Sequence, residues 1–233
     1  KDAVQAYVNG ELQAAVDAAT AGAEIDMVCD HTEAKVTVNK SVTIDGNDNQ
    51  LTSTSANYGL AIRSADITVE NITVTAAGTF GIHTNAADNF KLQNSTISGN
   101  GGTGIALNCS DGTDILIVVA ENNNGNGMSI TDCTNTTIDG YTSSGNVFTT
   151  FGAGIGIFAD GNNSCSDVCS GISISNTNIT DVVGVYEQNV NGSGTITGVT
   201  FPTNDYTHYV GFLPDGKFYY KSLNDALTAA EST

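Results

Sequence analysis

The sequence contains no tryptophan, only two prolines, Pro202 and Pro214, and only seven Lys and Arg residues in 233. Each scarcity excludes something. Seven bases against 25 acids leave a formal charge of −18, which repels nucleic acid and anionic membrane surfaces, so neither is an expected partner. No apolar run approaches the roughly 18 residues that cross a bilayer, which argues against membrane insertion. The beginning, Lys1-Asp2-Ala3, is no secretion signal, so any signal has been removed or was never part of this sequence. Long helices are not expected either. Gly, Ser, Thr, Asn and Asp dominate, a mixture that suits many short strands joined by tight turns.

What the sequence does have is a recurring phrase: a glycine, an apolar residue, any residue, and usually a second apolar one. It occurs at Gly59-Leu60-Ala61-Ile62, Gly81-Ile82-His83-Thr84, Gly104-Ile105-Ala106-Leu107, Gly127-Met128-Ser129-Ile130, Gly154-Ile155-Gly156-Ile157 and Gly184-Val185-Tyr186-Glu187. The successive spacings are 22, 23, 23, 27 and 30 residues. A period in this range marks a solenoid, whose coils bury their apolar side only by stacking on one another. Leu60, Ile62, Val69, Ile82, Leu92, Ile105, Leu107, Met128, Ile130, Ile155, Ile157 and Ile174 are therefore expected to point inward as ladders.

A second landmark follows each phrase. Aligning Ile44, Val69, Leu92, Ile138, Ile174 and Ile196 places Gly46, Asn71, Asn94, Gly140, Asn176 and Gly198 two residues on. Gly and Asn tolerate a left-handed backbone, so the pattern predicts a sharp bend stacked coil on coil, with asparagine amides bonding along the stack. The coil at Ile115 to Ala120 breaks the pattern and is expected to turn later, near Glu121-Asn122. Beyond the bend, Ile72, Val74, Ile97, Ile179, Val199 and Phe201 supply a third inward strand.

The ends differ from the middle. Glu11 to Thr20 is helical by propensity and by apolar positions 12, 15, 16 and 19, and would cover the open end of the core. This divides the chain into a capping segment, 1–24, a coil region, 25–203, and an aromatic tail, 204–233. In the tail a hairpin is expected around Pro214-Asp215-Gly216, followed by a helix over Leu223 to Glu231 that repeats the first helix. The segment Leu12-Gln13-Ala14-Ala15-Val16-Asp17-Ala18-Ala19, followed by Val38-Asn39-Lys40-Ser41-Val42-Thr43-Ile44-Asp45-Gly46, resembles the opening of pectin-lyase-like right-handed parallel β-helix domains. It is similar in particular to modules of repetitive bacterial cell-surface proteins. The resemblance, which covers essentially the whole chain as a fold, implies an all-β, right-handed parallel β-helix. The expected solenoid has about 7–8 coils, an N-terminal capping helix and a C-terminal hairpin plus helix. The last helix either caps the far end of this solenoid or begins a next module; the resemblance favours the latter, a tandem array in which Tyr206, Tyr209, Phe212, Phe218, Tyr219 and Tyr220 form the joint for end-to-end self-association.

The coil frame makes the five cysteines readable. Cys109 lies five residues after Gly104 and Cys133 six after Gly127, which pairs them on adjacent coils. Cys165 and Cys169 would close a small loop, leaving Cys29 as a buried thiol. Two bridges imply an oxidising, extracellular setting.

Carboxylates follow the first strand of each coil, at Asp66, Asp88, Asp111, Asp132, Asp160 and Glu187. Stacked along one edge, they cap their own turns, hold a divalent cation, for which calcium is the one candidate cofactor, or pair as acid and base for glycoside cleavage. The resemblance implies enzymes acting on polyuronates, with calcium-bound acids and a basic residue, or paired aspartates with a histidine and a basic substrate clamp. Here Arg63 is the only arginine, and Asp-Asp, His-Gly and Arg-x-Lys do not occur. Arg63 reads as a salt bridge beside Asp66 and Asp88, and His31, His83 and His208 as surface or turn residues. The resulting expectation is a non-catalytic structural or adhesive β-helix module of an extracellular surface protein or fibre, with copies of itself and surface glycans as partners. The alternative is a polysaccharide-acting lyase or glycoside hydrolase; an ice- or glycan-binding module is a minor third.

Overall fold

The computed structural model describes residues 3–6, 11–147, 153–159, 165, 168–181, 183–189, 195–200, 209–213 and 216–220. They wind into a right-handed parallel β-helix of about seven turns. The strands Val36–Val38, Tyr58–Ile62, Phe80–Thr84, Ile105–Asn108, Met128–Thr131, Ala153–Ala159 and Val183–Asn189 stack in register as one face, which carries the glycine phrase. A second face runs from Glu24–Met27 through Thr43–Asp45, Thr68–Glu70, Lys91–Ser98, Asp114–Glu121 and Thr137–Asp139 to Ser173–Ser175. The third holds His31–Glu33, Gln50–Ser53, Thr73–Thr75, Thr142–Ser144 and Asn178–Ile179, and the long strands Lys91–Ser98 and Asp114–Glu121 cross the bend to join it.

All twelve expected ladder residues are buried, from Leu60 to Ile174. The phrase glycines are explained by close approach. A Cβ on Gly127 would lie 2.4 Å from Tyr141 Oη, and one on Gly154 would lie 2.2 Å from Ile179 Cγ2. The third strand presses against the start of the first, and only a hydrogen fits there.

The bend is left-handed at Asn71, Asn94, Gly140 and Asn176 as expected (φ 51°, 48°, 71° and 49°). Three expectations are corrected. In the first coil the left-handed residues are Asn47 and Asp48; Gly46 instead marks a close approach, since a Cβ there would lie 2.3 Å from Asn71 O. Gly198 is left-handed as expected (φ 65°) but stacks on Gly171 and not on Asn176, since Ile196 pairs with Cys169. The coil at Ile115 does not turn late: parallel pairing forces Ile117 itself into the bend, at φ 54° and 66% exposed. Asn122 is also left-handed, but it belongs to a further corner shared with Gly99 and Gly145.

Inside that corner runs a hydrogen-bonded asparagine ladder that the sequence pattern did not suggest. Asn100 Nδ2 donates to Asn123 Oδ1 and Asn123 Nδ2 to Asn146 Oδ1, each at 2.9 Å, and Asp181 Oδ1 closes the run by accepting the Asn146 backbone N–H.

The helix, Leu12–Ala18, buries Leu12, Ala15 and Val16 over the first coils. Glu11 offers no side-chain cap; instead the Glu33 carboxylate accepts the N–H groups of Leu12 and Gln13, while Lys40 Nζ donates to the carbonyls of Val16, Asp17 and Ala19. Charges from the coil thus satisfy both ends of the helix with the sign its dipole prefers. A strand not foreseen, Ala3–Ala6, pairs with Glu24–Met27. At the other end Tyr209–Leu213 and Gly216–Tyr220 form the expected hairpin, and its second strand runs antiparallel to Val183–Asn189. The expected helix from Leu223 to Glu231 lies outside the described residues, as does Tyr206.

Candidate functional site

On the glycine face the two apolar residues of the phrase point inward, so the residue between them points out. Register stacks these outward residues as His83, Ala106, Ser129, Gly156 and Tyr186. Three small residues therefore lie between two ring-bearing ones, and the surface sinks between them into a trench. Its volume is about 410 Å³, and Phe80, Ala106, Asn108, Asn126, Ser129, Thr131, Phe158, Tyr186 and Gln188 are among its lining residues. Four strand spacings of about 4.8 Å make the distance between the ringed ends roughly 19 Å.

At one end Tyr58, Phe80 and His83 form a stack, with the His83 ring 4.5 Å from Tyr58 and 5.3 Å from Phe80. The Arg63 guanidinium lies 5.5 Å from the Tyr58 ring centre. Arg63 Nη1 donates to the carbonyls of Ile62 and His83, and Nη2 donates to His83 Nδ1 at 2.9 Å. A guanidinium can only donate, so Nδ1 is the acceptor and the neutral ring carries its hydrogen on Nε2. Asn108 Nδ2 is placed 3.1 Å from Nε2, and with the hydrogen there the amide is assigned turned over, its oxygen accepting. Burial, and secondarily the charge of Arg63, push the His83 pKa down to about 4. At the other end Phe158 and Tyr186 meet edge to face, 5.0 Å apart. Both rings lean over Gly156, where a Cβ would lie 2.8 Å from each. Burial pushes the Tyr186 hydroxyl up to about 12, opposed by a hydrogen bond with Asn126.

Beside the trench lies a second, acidic hollow of about 330 Å³, lined by Asn85, Ala86, Asp88, Cys109, Asp111, Asp132 and Cys165. The two adjoin through the chain itself, since Cys109 follows Asn108 and Asp132 follows Thr131. The carboxylates do not form the single row expected of them. Asp132 shares its left-handed turn position with Cys109 and Ala86 (φ 51°, 48° and 50°). Asp88 and Asp111 share another, where Asp88 Oδ1 accepts the Asp111 N–H at 3.0 Å and Asp111 Oδ1 accepts the Thr134 N–H at 2.7 Å. Asp66 occupies a third with Asn89 and Gly112, and its Oδ1 accepts from Asn89 Nδ2. Turn capping between coils is thus visible at Asp66, Asp88 and Asp111. Asp160 lies outside the described residues. Among the described residues, the acids whose ligand atoms come within 4.8 Å of one another are a different set, Glu24, Asp26 and Asp45, where burial and the two neighbouring charges raise the Asp26 pKa.

Further expectations are corrected here. The disulfide joins Cys109 to Cys165, with Cα atoms 5.7 Å apart, while Cys29, Cys133 and Cys169 are free. Asn108 pairs with Thr131, so Cys133 sits in register with Ser110, one residue beyond Cys109. That single step turns Cys109 outward and Cys133 into the core. Neither the Cys109–Cys133 bridge nor the Cys165–Cys169 loop forms. Cys29 is half-buried rather than buried. Arg63 binds carbonyls and His83 instead of an aspartate. His31 and His83 are buried, 1% and 8% exposed, and His208 lies outside the described residues. Sequence reasoning missed the trench because it treated the third position of the phrase as free; the signal was there in Ala, His, Ala, Ser, Gly, Tyr, small residues framed by rings.

The fold and its grooved face define a right-handed parallel β-helix protein. The chain belongs to the family described as "Right handed beta helix region", whose model matches residues 27–179. No curated protein matches it. Among solved structures it is similar to the enzymatically active domain of bacteriophage CBA120 tailspike protein 2, at 15% identity and TM-score 0.52 over 78% of this chain and 27% of that one. It is also similar to pectate lyase Pel9A, at 14% identity and TM-score 0.53 over 84% and 57%. A third is the A-module of Azotobacter vinelandii mannuronan C-5 epimerase AlgE4, at 16% identity and TM-score 0.46 over 79% and 59%. The chain thus spans less than two thirds of each, and at these identities the likeness is one of fold. The expectation of a non-catalytic adhesive module is nevertheless corrected: the neighbours are named for enzymes, which favours the polysaccharide-acting alternative. No helix among the described residues is long and apolar enough to cross a membrane.

Proposed function

We propose that the chain binds a polysaccharide along the trench of the glycine face and cleaves it with carboxylates of the adjoining acidic hollow. The observation that carries this reading is the juxtaposition itself: an elongated trench with aromatic ends and amide and hydroxyl sides, open beside Asp88, Asp111 and Asp132. Sugar rings present apolar faces to aromatic side chains and hydroxyls to amides, and long clefts of this composition suit them. Asp88 and Asp111, one strand spacing of about 4.8 Å apart along the backbone, are near the roughly 5 Å separation at which two carboxyl groups share glycoside cleavage. One protonates the leaving oxygen while the other serves as base or nucleophile. The fold-level likeness to a pectate lyase and to an enzymatically active tailspike domain supports the same reading. A bridge between Cys109 and Cys165 suits an oxidising exterior, so we place the activity outside the cell.

The test is release of new chain ends from a panel of neutral and acidic polysaccharides, with and without calcium. Product is expected from at least one, and Asp88→Asn or Asp111→Asn should lower its rate by roughly a hundredfold or more. Asn keeps the acceptor with which each staples the next turn, so folding should persist. A full panel without product, or rates untouched by both variants, would overturn the proposal.

A further inference from the structure

We infer that the trench takes an uncharged glycan, built of neutral hexoses or N-acetylhexosamines, rather than a polyuronate; this rests on the polysaccharide reading above. The argument is one of charge. Among the described residues lining the trench none is Lys or Arg, and the polar groups are the amides of Asn108, Asn126 and Gln188 and the hydroxyls of Thr103, Ser129 and Thr131. The nearest guanidinium, that of Arg63, is already committed to two carbonyls and to His83 Nδ1. The His83 ring beside it stays neutral above about pH 4, so it adds no positive charge under ordinary conditions. Along the flank stand Asp88, Asp111 and Asp132, and the whole chain carries −18. A polymer with one carboxylate per sugar would meet like charge along its length and find no cation to hold it. Amides and hydroxyls match the hydroxyl and acetamido groups of an uncharged sugar, and the rings of Phe80, Phe158 and Tyr186 match its apolar faces.

A chemical consequence follows. Elimination needs a carboxyl group at C6 of the sugar to acidify the hydrogen at C5, and an uncharged glycan has none. At the roughly 5 Å spacing of the pair Asp88 and Asp111, its glycosidic bond is exchanged for water in two steps. The leaving oxygen takes a proton from one carboxyl group as the other carboxylate bonds to the anomeric carbon, and water, giving a proton back to the first carboxylate, then displaces the second.

The experiment is binding calorimetry on the full chain with neutral hexose, N-acetylhexosamine, galacturonate and alginate oligosaccharides, each with and without calcium. At least one uncharged series is expected to bind about tenfold or more tightly than either uronate series. Ser129→Trp, which fills the floor, and Phe158→Ala, which removes a ring, should each weaken that binding about tenfold. Ser129→Lys should raise uronate binding. Because Ser129 points outward, its variants test the trench even where Phe158→Ala disturbs the fold, which circular dichroism would reveal. Tighter binding of a uronate, with or without calcium, would overturn this inference and leave the polysaccharide reading standing. Uncharged-glycan binding that Ser129→Trp leaves unchanged would remove it from the trench. If no oligosaccharide binds, both readings fall together.

Discussion

At the residue scale, two side chains hold unusual states that can be measured. The depressed His83 pKa has a definite sign in stability. Above about pH 6.5 the ring is neutral both folded and unfolded, and it costs nothing. As the pH falls from there towards about 4, the unfolded chain gains a proton that the folded one resists, so stability declines, by at most roughly 3 kcal/mol. The thermal midpoint of the wild type should therefore fall more steeply between these pH values than that of His83→Gln, which cannot titrate; parallel curves would show that Arg63 and burial do not hold the ring neutral. Ile117 is the second case. A β-branched residue at φ 54° is strained, and its side chain is largely exposed, so little packing offsets the strain. Ile117→Asn, matching Asn94 in the coil below, should raise stability by about 1 kcal/mol in a denaturant titration. A loss of stability would mean that Ile117 contributes packing that its exposure hides.

At the scale of elements, the asparagine ladder is the feature on which neighbouring coils most depend. Asn123 donates to Asn146 and to the Ile97 carbonyl and accepts from the backbone and side chain of Asn100, all buried. Asn123→Ala would strand donors and acceptors on two adjacent coils and should cost roughly 3 kcal/mol. Hydrogen exchange of the Asn100 amide should accelerate with it; an unchanged midpoint would show that water replaces the lost bonds at no cost. This ladder also marks the limit of what was legible. Apolar ladders can be read because burial imposes an alternation on the sequence, and the stacked bend can be read because few residues accept a left-handed backbone. Asn100, Asn123 and Asn146 are buried polar residues in a chain rich in asparagine, and their distinguishing property is a hydrogen bond to a residue 23 positions away. Cys109 and Cys133 failed for a related reason: a one-residue slip at a turn reverses inside and outside. The trench escaped notice because its floor is defined by lack of side chain, and small residues look like any other turn-rich sequence.

On the scale of the whole molecule, the bridge from Cys109 to Cys165 spans 56 residues in sequence and ties two coils across the one between them, beside the acidic hollow. In the chain-entropy account, a loop of that length contributes about 4 kcal/mol through the unfolded state. Cys109→Ser should lower stability by an amount of that order under oxidising conditions and change nothing under reducing ones. Peptide mapping of unreduced protein should find this bridge, with Cys29, Cys133 and Cys169 as thiols. Burial raises the pKa of both Cys133 and Cys169, so these two should react with alkylating agents only after unfolding. A bridge between Cys109 and Cys133 would mean the turn register is wrong by one residue.

The regular register has one more implication, for how such a cleft can change. Ala106 and Ser129 are 23 residues apart in sequence and neighbours in space, so the trench is measured in whole coils. Excising one complete coil between the ringed ends would bring them closer by a single graduation of about 4.8 Å while every remaining strand keeps an equivalent partner. Duplicating a coil would lengthen it by the same step. The face behaves as a ruler, and on the polysaccharide proposal the number of sugars it takes would grow or shrink in integers by gain or loss of repeats, without redesign of either end.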